Sequence, residues 1–143
     1  MPMIMRWDGV FPAGETRSHL IGLNDLFATL ADLTDVEVPD SVMDSTSFAD
    51  YISSNDESGL REFLATWKIS EDDITAVAVR WNNFKYIQQA APGSRTGIHE
   101  SLFDLSDDIS ETNNLIQETQ YEEMVSTMRA YLETLEGPEI EVR

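Results

Sequence analysis

Four carboxylates fall within eight positions of the stretch LFDLSDDISETNNL, Leu102 to Leu115: Asp104, Asp107, Asp108 and Glu111. Acids this dense could form a calcium loop, where oxygens at alternate positions, a central Gly and a bidentate Glu at the twelfth place enclose the ion. Counted from Asp104, Ile109 stands where the Gly is required, and Leu115 stands at position twelve. The loop pattern fails at both. The competing expectation is that Ser106, Asp107, Asp108 and Ser110 build turns and caps between a strand and a helix.

Other reactive side chains are sparse. His19 and His99 are the only histidines, and neither lies in an H-x-x-x-H or H-E-x-x-H pattern. His19 precedes an apolar helix and His99 sits in an expected strand, so both read as packed or surface residues. There is no Cys, which removes disulfides, thiolate nucleophiles and Cys-ligated metals. No G-x-S-x-G, P-loop or G-x-G-x-x-G motif occurs. Arg80, Trp81, Lys85 and Tyr86 could resemble a basic-aromatic platform for nucleic acid, but cation–π packing across a hairpin is the blander expectation.

The charge balance argues the same way. With 27 acids against 9 bases the net charge is −18, a field that repels phosphate backbones and anionic headgroups. Nucleic acid and membrane surfaces are therefore not expected partners. Only Lys68 and Lys85 are lysines, which fits either a salt-adapted surface or ordinary acidic solubility. No apolar run approaches the roughly 20 residues of a membrane span, and MPMIMRWDG is too short for a signal peptide. At 143 residues, 41% hydrophobic, the chain can bury a core of its own.

Several elements must position these residues. PMIMRW, Pro2 to Trp7, reads as a buried strand ended by the turn residues of DGVFPAG. LNDLFATLADL places Leu26, Phe27, Leu30 and Leu33 on one helical face, with Asn24 as N-cap. From Asp35 to Gly59 the composition favours a long connection with one short helix around Phe48, Tyr51 and Ile52. LREFLATWKI fits a helix through Leu60, Phe63, Leu64 and Trp67, or a strand through Phe63, Ala65 and Trp67. ITAVAVRWNNFKYIQQ reads as two strands joined by a tight turn at Asn82-Asn83. A Pro92-Gly93 loop leads to a further strand in GIHESLFDL. Tyr121, Met124, Val125, Met128, Tyr131, Leu132 and Leu135 recur at helical spacing, opened by a Thr119/Glu122 capping box and stopped by Gly137-Pro138.

Four of these stretches, in this order, resemble the sulfatase family. PMIMRWDG is similar to its V-P-x-I-V-R-W-P-G strand at Pro2, Ile4, Arg6, Trp7 and Gly9, with Asp8 replacing Pro. DLFATLADL is similar to D-L-F-P-T-L-L-D-L-A-G at Asp25, Leu26, Phe27, Thr29, Leu30, Asp32 and Leu33. AVRWNNFKYI is similar to the A-V-R-x-x-x-x-K-Y-I hairpin. LFDLSDDISETNNL is similar to L-Y-D-L-x-x-D-P-x-E-T-x-N-L at Leu102, Asp104, Leu105, Asp108, Glu111, Thr112, Asn114 and Leu115, with Ile109 replacing Pro.

The resemblance implies the C-terminal portion of a sulfate-ester hydrolase. In the family the nucleophile is a formylglycine made from a C/S-x-P-S-R motif, and calcium is held by acidic residues that precede these stretches. Neither can be mapped onto a residue here, so no catalytic, cofactor-binding or metal-ligating residue is assigned, and the chain alone is expected to be inactive. The expected fold is α+β: a small antiparallel sheet packed by a C-terminal amphipathic helix, preceded by a strand-helix remnant of the α/β catalytic domain. The expected divisions are residues 1–35 (end of the catalytic domain), 36–73 (connection) and 74–143 (C-terminal subdomain). The expected partner is the N-terminal catalytic domain, or a second copy through residues 1–33. The rival reading is a free-standing acidic interaction module.

Overall fold

Alternating β-branched and aromatic residues build the sheet. In the computed structural model, which describes residues 3–38, 44–54, 56–58, 60–70, 73–90 and 97–135, four strands form in chain order. They are β1 (Phe63–Ser70), β2 (Asp73–Trp81), β3 (Phe84–Ala90) and β4 (Ile98–Asp104), each antiparallel to the next. LREFLATWKI, which fitted either a helix or a strand, thus supplies β1. The β2–β3 turn occupies Asn82-Asn83, with Asn82 at φ +52°, a conformation that Asn tolerates better than most residues.

The side chains that meet across the register make the core. Val79 pairs with Tyr86 and Tyr86 with Leu102. All three are fully buried, together with Met128 of helix α3 (Glu122–Thr134). Val125 and Leu115 complete this cluster, with Tyr121, Met124, Tyr131 and Leu132 packed at its margin. In the next row Phe63 pairs with Trp81 and Trp81 with Phe84. Tyr131 stacks on Phe63 at 4.6 Å. The α+β expectation, an antiparallel sheet packed by an amphipathic C-terminal helix, holds.

Entry into α3 differs from the capping box. Thr119–Tyr121 forms a 3-10 turn, α3 begins at Glu122, and no side chain caps either start. Glu122 is therefore the first helical residue rather than the third, out of reach for reciprocal capping. The Gly137-Pro138 stop and the Pro92-Gly93 loop lie outside the described residues.

The chain divides by its contacts into Met1–Arg61 and Glu62–Arg143. The first unit holds helices α1 (Asp25–Leu33) and α2 (Ala49–Ser54). The second holds the sheet and α3. The stretch 36–73, read as a connection, therefore contains α2 and β1, with the division falling inside it.

Two expectations for the first unit are corrected. Met3–Trp7 joins no ladder among the described residues, and Ile4 is 97% exposed. A strand needs a neighbour to bond to, and among the described residues this stretch has none. Leu26, Phe27, Leu30 and Leu33 do not form α1's buried face. Phe27 and Leu30 are 49% and 53% exposed, while Asp25, Ala28, Thr29 and Ala31 are buried. Nor does Asn24 cap the helix, since its side-chain amide donates to Asp44 O. α1 ends with Asp35 in the left-handed region at φ +56°, where Val36 N–H donates to Ala31 O (2.8 Å) and Asp35 N–H to Asp32 O (3.2 Å).

Candidate functional site

The acidic stretch leaves β4 and returns along that strand's edge toward α3, and three of its four carboxylates, those of Asp104, Asp108 and Glu111, have partners. Asp104 Oδ1 accepts from Ser106 N–H (3.0 Å) and Ser106 Oγ (2.6 Å). Asp108 Oδ2 accepts from the N–H groups of Thr112 (2.8 Å) and Asn113 (2.7 Å), and its Oδ1 from Thr112 Oγ1 (3.0 Å). The Asn113 N–H, foremost among these donors, holds the Asp108 carboxyl below its ordinary range. Glu111, in the left-handed region at φ +56°, pairs with Lys85 Nζ at 2.7 Å.

The Asp104 and Asp108 oxygens close turns, as expected of Ser106 and Asp108, whereas among the described residues the Asp107 and Ser110 side chains make no such bond. Calcium would need several of them free and converging, and the donor set does not fit it. Among the described residues no group of three or more acids or histidines is arranged to hold a metal.

The other candidates separate. His19 Nε2 lies 3.1 Å from Arg61 O and its ring meets Tyr51 edge-on at 5.7 Å, whereas His99 is exposed. Arg80 and Lys85 face each other across the hairpin. Yet Lys85 is committed to Glu111, and Arg80 donates to Asn82 O at 3.3 Å while its Nε is buried without a partner. The expected cation–π packing across the hairpin is absent. Among the described residues that contact occurs instead between Arg17 and the Tyr51 ring. The basic-aromatic residues do not form a platform.

Two polar clusters were not anticipated. Arg129 on α3 grips Glu100 on β4 with Nε (3.1 Å) and Nη2 (2.8 and 3.0 Å), while the Tyr86 hydroxyl donates to Glu100 Oε1 and Gln88 Nε2 to Tyr86 Oη (2.8 Å). Burial, then the Glu100 bond, pushes the Tyr86 phenol up to about 12. Burial works against the Glu100 charge, but hydrogen bonds from Tyr86 and Arg129 outweigh it and hold its carboxyl below the usual range.

In the first unit, buried Asp25 accepts from Gly22 N–H (2.6 Å), Thr46 N–H (2.9 Å) and Arg61 Nε (2.9 Å), with a second bond from Arg61 Nη2. Thr29 links the same helix to Phe48 N–H at 3.0 Å. A buried acid on an apolar helix was the available signal, because such a group needs a cation nearby. Glu100, half-buried in a strand, gave no comparable cue.

The first unit also has a cleft of about 600 Å³, lined in part by Met3, Met5, Phe11, Arg17, His19 and Tyr51. Several of its polar groups are engaged. Arg17 bonds Glu15 (2.9 Å) and Tyr51 O (3.2 Å), and the Tyr51 hydroxyl oxygen accepts from Ser18 and His19 N–H (3.1 and 3.0 Å). These contacts orient a loop. They do not pair a nucleophile with a base.

The α+β subdomain has a family among known proteins. The chain matches the family described as N-sulphoglucosamine sulphohydrolase, C-terminal, over residues 1–137. It belongs to that family and is a C-terminal domain of the sulfatase type. It is 27% identical over 127 residues to an arylsulfatase of Clostridium perfringens (strain 13 / Type A), covering 88% of this chain and 25% of the relative.

Among solved structures, a 6S-sulfatase from work on glycosaminoglycan metabolism by Bacteroides thetaiotaomicron is 26% identical, with a TM-score of 0.57 over 77% of this chain and 24% of the other. Another, solved with its substrate D-glucosamine-2-N,6-O-disulfate, has a TM-score of 0.62 at 18% identity, over 76% and 22%. That likeness is one of fold. The chain spans about a quarter of the length of these relatives.

Proposed function

We propose that this chain serves as the C-terminal portion of a sulfate-ester hydrolase and does not itself hydrolyse its substrate. The family match over residues 1–137 carries this reading. The covered share of the relatives supports it, since about three quarters of their length lies elsewhere. Formylglycine and calcium chemistry would come from that remaining portion.

The docking surface is the set of outward apolar side chains in the first unit: Met3, Ile4, Trp7, Leu23, Phe27 and Leu30. Apolar exposure this concentrated within 28 residues is typical of a surface that another body covers. The occupant is the catalytic portion, because the stretches carrying these residues resemble the strand and helix that close that domain.

The test mixes the purified chain with a separately expressed sulfatase catalytic portion lacking its own last quarter. The chain alone should release no sulfate from an aryl sulfate ester. Mixing should restore activity and slow hydrogen exchange across residues 3–36. Sulfate release by the chain alone would refute the inactivity. Failure of Phe27→Asp to weaken the restored activity would remove the docking surface.

A further inference from the structure

The two outer strands of the sheet end differently. In a two-residue hairpin the residues flanking the turn exchange hydrogen bonds, so Trp81 and Phe84 bond to each other and bonding pairs alternate from there. Following that alternation across the register, β4 turns the backbone groups of Glu100, Leu102 and Asp104 outward. β1 turns out those of Phe63, Ala65 and Trp67.

The chain closes the β4 edge itself. Leu102 N–H donates to Asn114 Oδ1 (3.0 Å), Leu115 N–H to Leu102 O (2.8 Å) and Asp108 N–H to Asp104 O (2.9 Å). Among the described residues no hydrogen bond reaches the outward groups of Phe63, Ala65 or Trp67. Trp67 and Ile69 on that strand are also 40% and 67% exposed. A long edge with unpaired backbone and apolar side chains is a template for another strand.

We propose that β1 pairs antiparallel with β1 of a second copy of this chain, about a two-fold axis at Ala65, giving one continuous sheet across the dimer. The axis follows from the residues. Outward-bonding positions must face each other, so Ala65 meets its own equivalent and Phe63 meets Trp67 of the second copy. The aromatic pair extends a row already present, since Phe63 lies 5.2 Å from Trp81 and 4.6 Å from Tyr131.

The same register sets Lys68, the single charged residue of β1, opposite Glu62 of the second copy, and does so twice. Both side chains are exposed. A net charge of −18 opposes self-association generally. β1 carries no acid, so here two copies can meet with opposite charges facing. The bulge between Lys68 and Ile69 leaves Phe63–Lys68 regular for pairing. This is the self-complementarity that a two-fold interface requires, and it selects a second copy over an unrelated strand.

The test is sedimentation of the full chain over a concentration series. The parent should dimerise. Ala65→Pro removes a donor that faces away from β2, so it should leave the fold intact and raise the dimer dissociation constant at least tenfold. Lys68→Glu sets like charges opposite each other and should cause a similar loss, deeper at low salt. Glu62→Lys alone should lose the dimer as well, and Glu62→Lys combined with Lys68→Glu should recover it.

Circular dichroism checks that each variant is folded, and if Ala65→Pro is not, the charge swap decides. A parent that stays monomeric, variants that associate as the parent does, or a double variant that fails to recover would overturn the proposal. A dimer broken by Phe27→Asp but not by Lys68→Glu would overturn it too, and would place association in the first unit. The proposal stands independently of the docking reading, because β1 belongs to the second unit.

Discussion

Residues 1–61 and 62–143 solve the problem of an interior in opposite ways. In the second unit an apolar cluster closes on itself, and Val79, Tyr86, Leu102 and Met128 are fully buried around one sheet face. In the first unit Phe48 and Tyr51 are buried, but the buried face of α1 is a carboxylate, a hydroxyl and two alanines, while Phe27 and Leu30 look outward. Burial of apolar area holds the one unit. A desolvated ion pair and its hydrogen bonds hold much of the other, an arrangement that contributes less net stability but orients its parts closely. The proposed docking surface rests on this difference, since Phe27 and Leu30 lie outward while the polar face of the same helix is buried.

The contrast breaks most sharply at Met128. An Asp there carries an unpaired charge into the closed core and should cost upwards of about 4 kcal/mol. Urea unfolding should show the transition moving to far lower denaturant, or the fold lost altogether. A variant as stable as the parent would mean that α3 does not pack on Val79, Tyr86 and Leu102.

In the first unit the equivalent test is Asp25→Ala. It strands Arg61 and leaves the N–H groups of Gly22 and Thr46 without an acceptor, for a cost of about 3 kcal/mol. Residue-resolved hydrogen exchange should show both amides losing protection. If they keep it, the network is not what organises the unit.

The second unit was legible in the sequence because its signals were redundant. The Asn82-Asn83 turn, the alternation in β2 and β3 and the spacing of Val125 and Met128 all specify one sheet under one helix. The acidic stretch was legible as a connector because Ile109 and Leu115 stand where a calcium loop needs Gly and Glu. The first unit misled in a specific way. Leu26, Phe27, Leu30 and Leu33 do recur at helical spacing, but periodicity says only that one face will be covered, not that this chain covers it. Met3–Trp7 has a strand's composition, yet strand pairing depends on a neighbour that composition cannot supply. The Tyr86–Glu100–Arg129 cluster joins residues from three elements, and nothing local in any of them points to the others.

That cluster gives a smaller, pH-dependent effect. With the buried Tyr86 phenol raised to about 12, the folded chain keeps a proton that the unfolded chain releases near 10. The sign follows: the contribution is complete below pH 10 and is lost as pH rises toward 12, by about 2 kcal/mol. Tyr86→Phe should flatten this alkaline slope in thermal unfolding. On the acid side Glu100, held below its ordinary range, contributes above that range and loses its contribution as pH falls through the depressed value. Glu100→Gln should lessen the acid slope, to which Asp108 also contributes, while the alkaline one persists.

The smallest expected effect tests the outward face. Phe27 is about half exposed in this chain, so Phe27→Ser removes little buried area and should change unfolding stability by less than about 0.5 kcal/mol. Serine is a poorer helix former only by a few tenths of a kcal/mol, which stays inside that margin. A buried Phe truncated in a core would instead cost about 3–5 kcal/mol. The two outcomes differ by an amount that urea unfolding resolves easily. A large loss would mean that Phe27 is covered within this chain in solution, and the contrast between the units would collapse. A negligible loss in the isolated chain, together with a strong loss of activity when the chain is mixed with a catalytic portion, would locate the stabilising role of Phe27 in the assembled enzyme. Apolar residues at helical spacing would then report on an interior that belongs to two bodies.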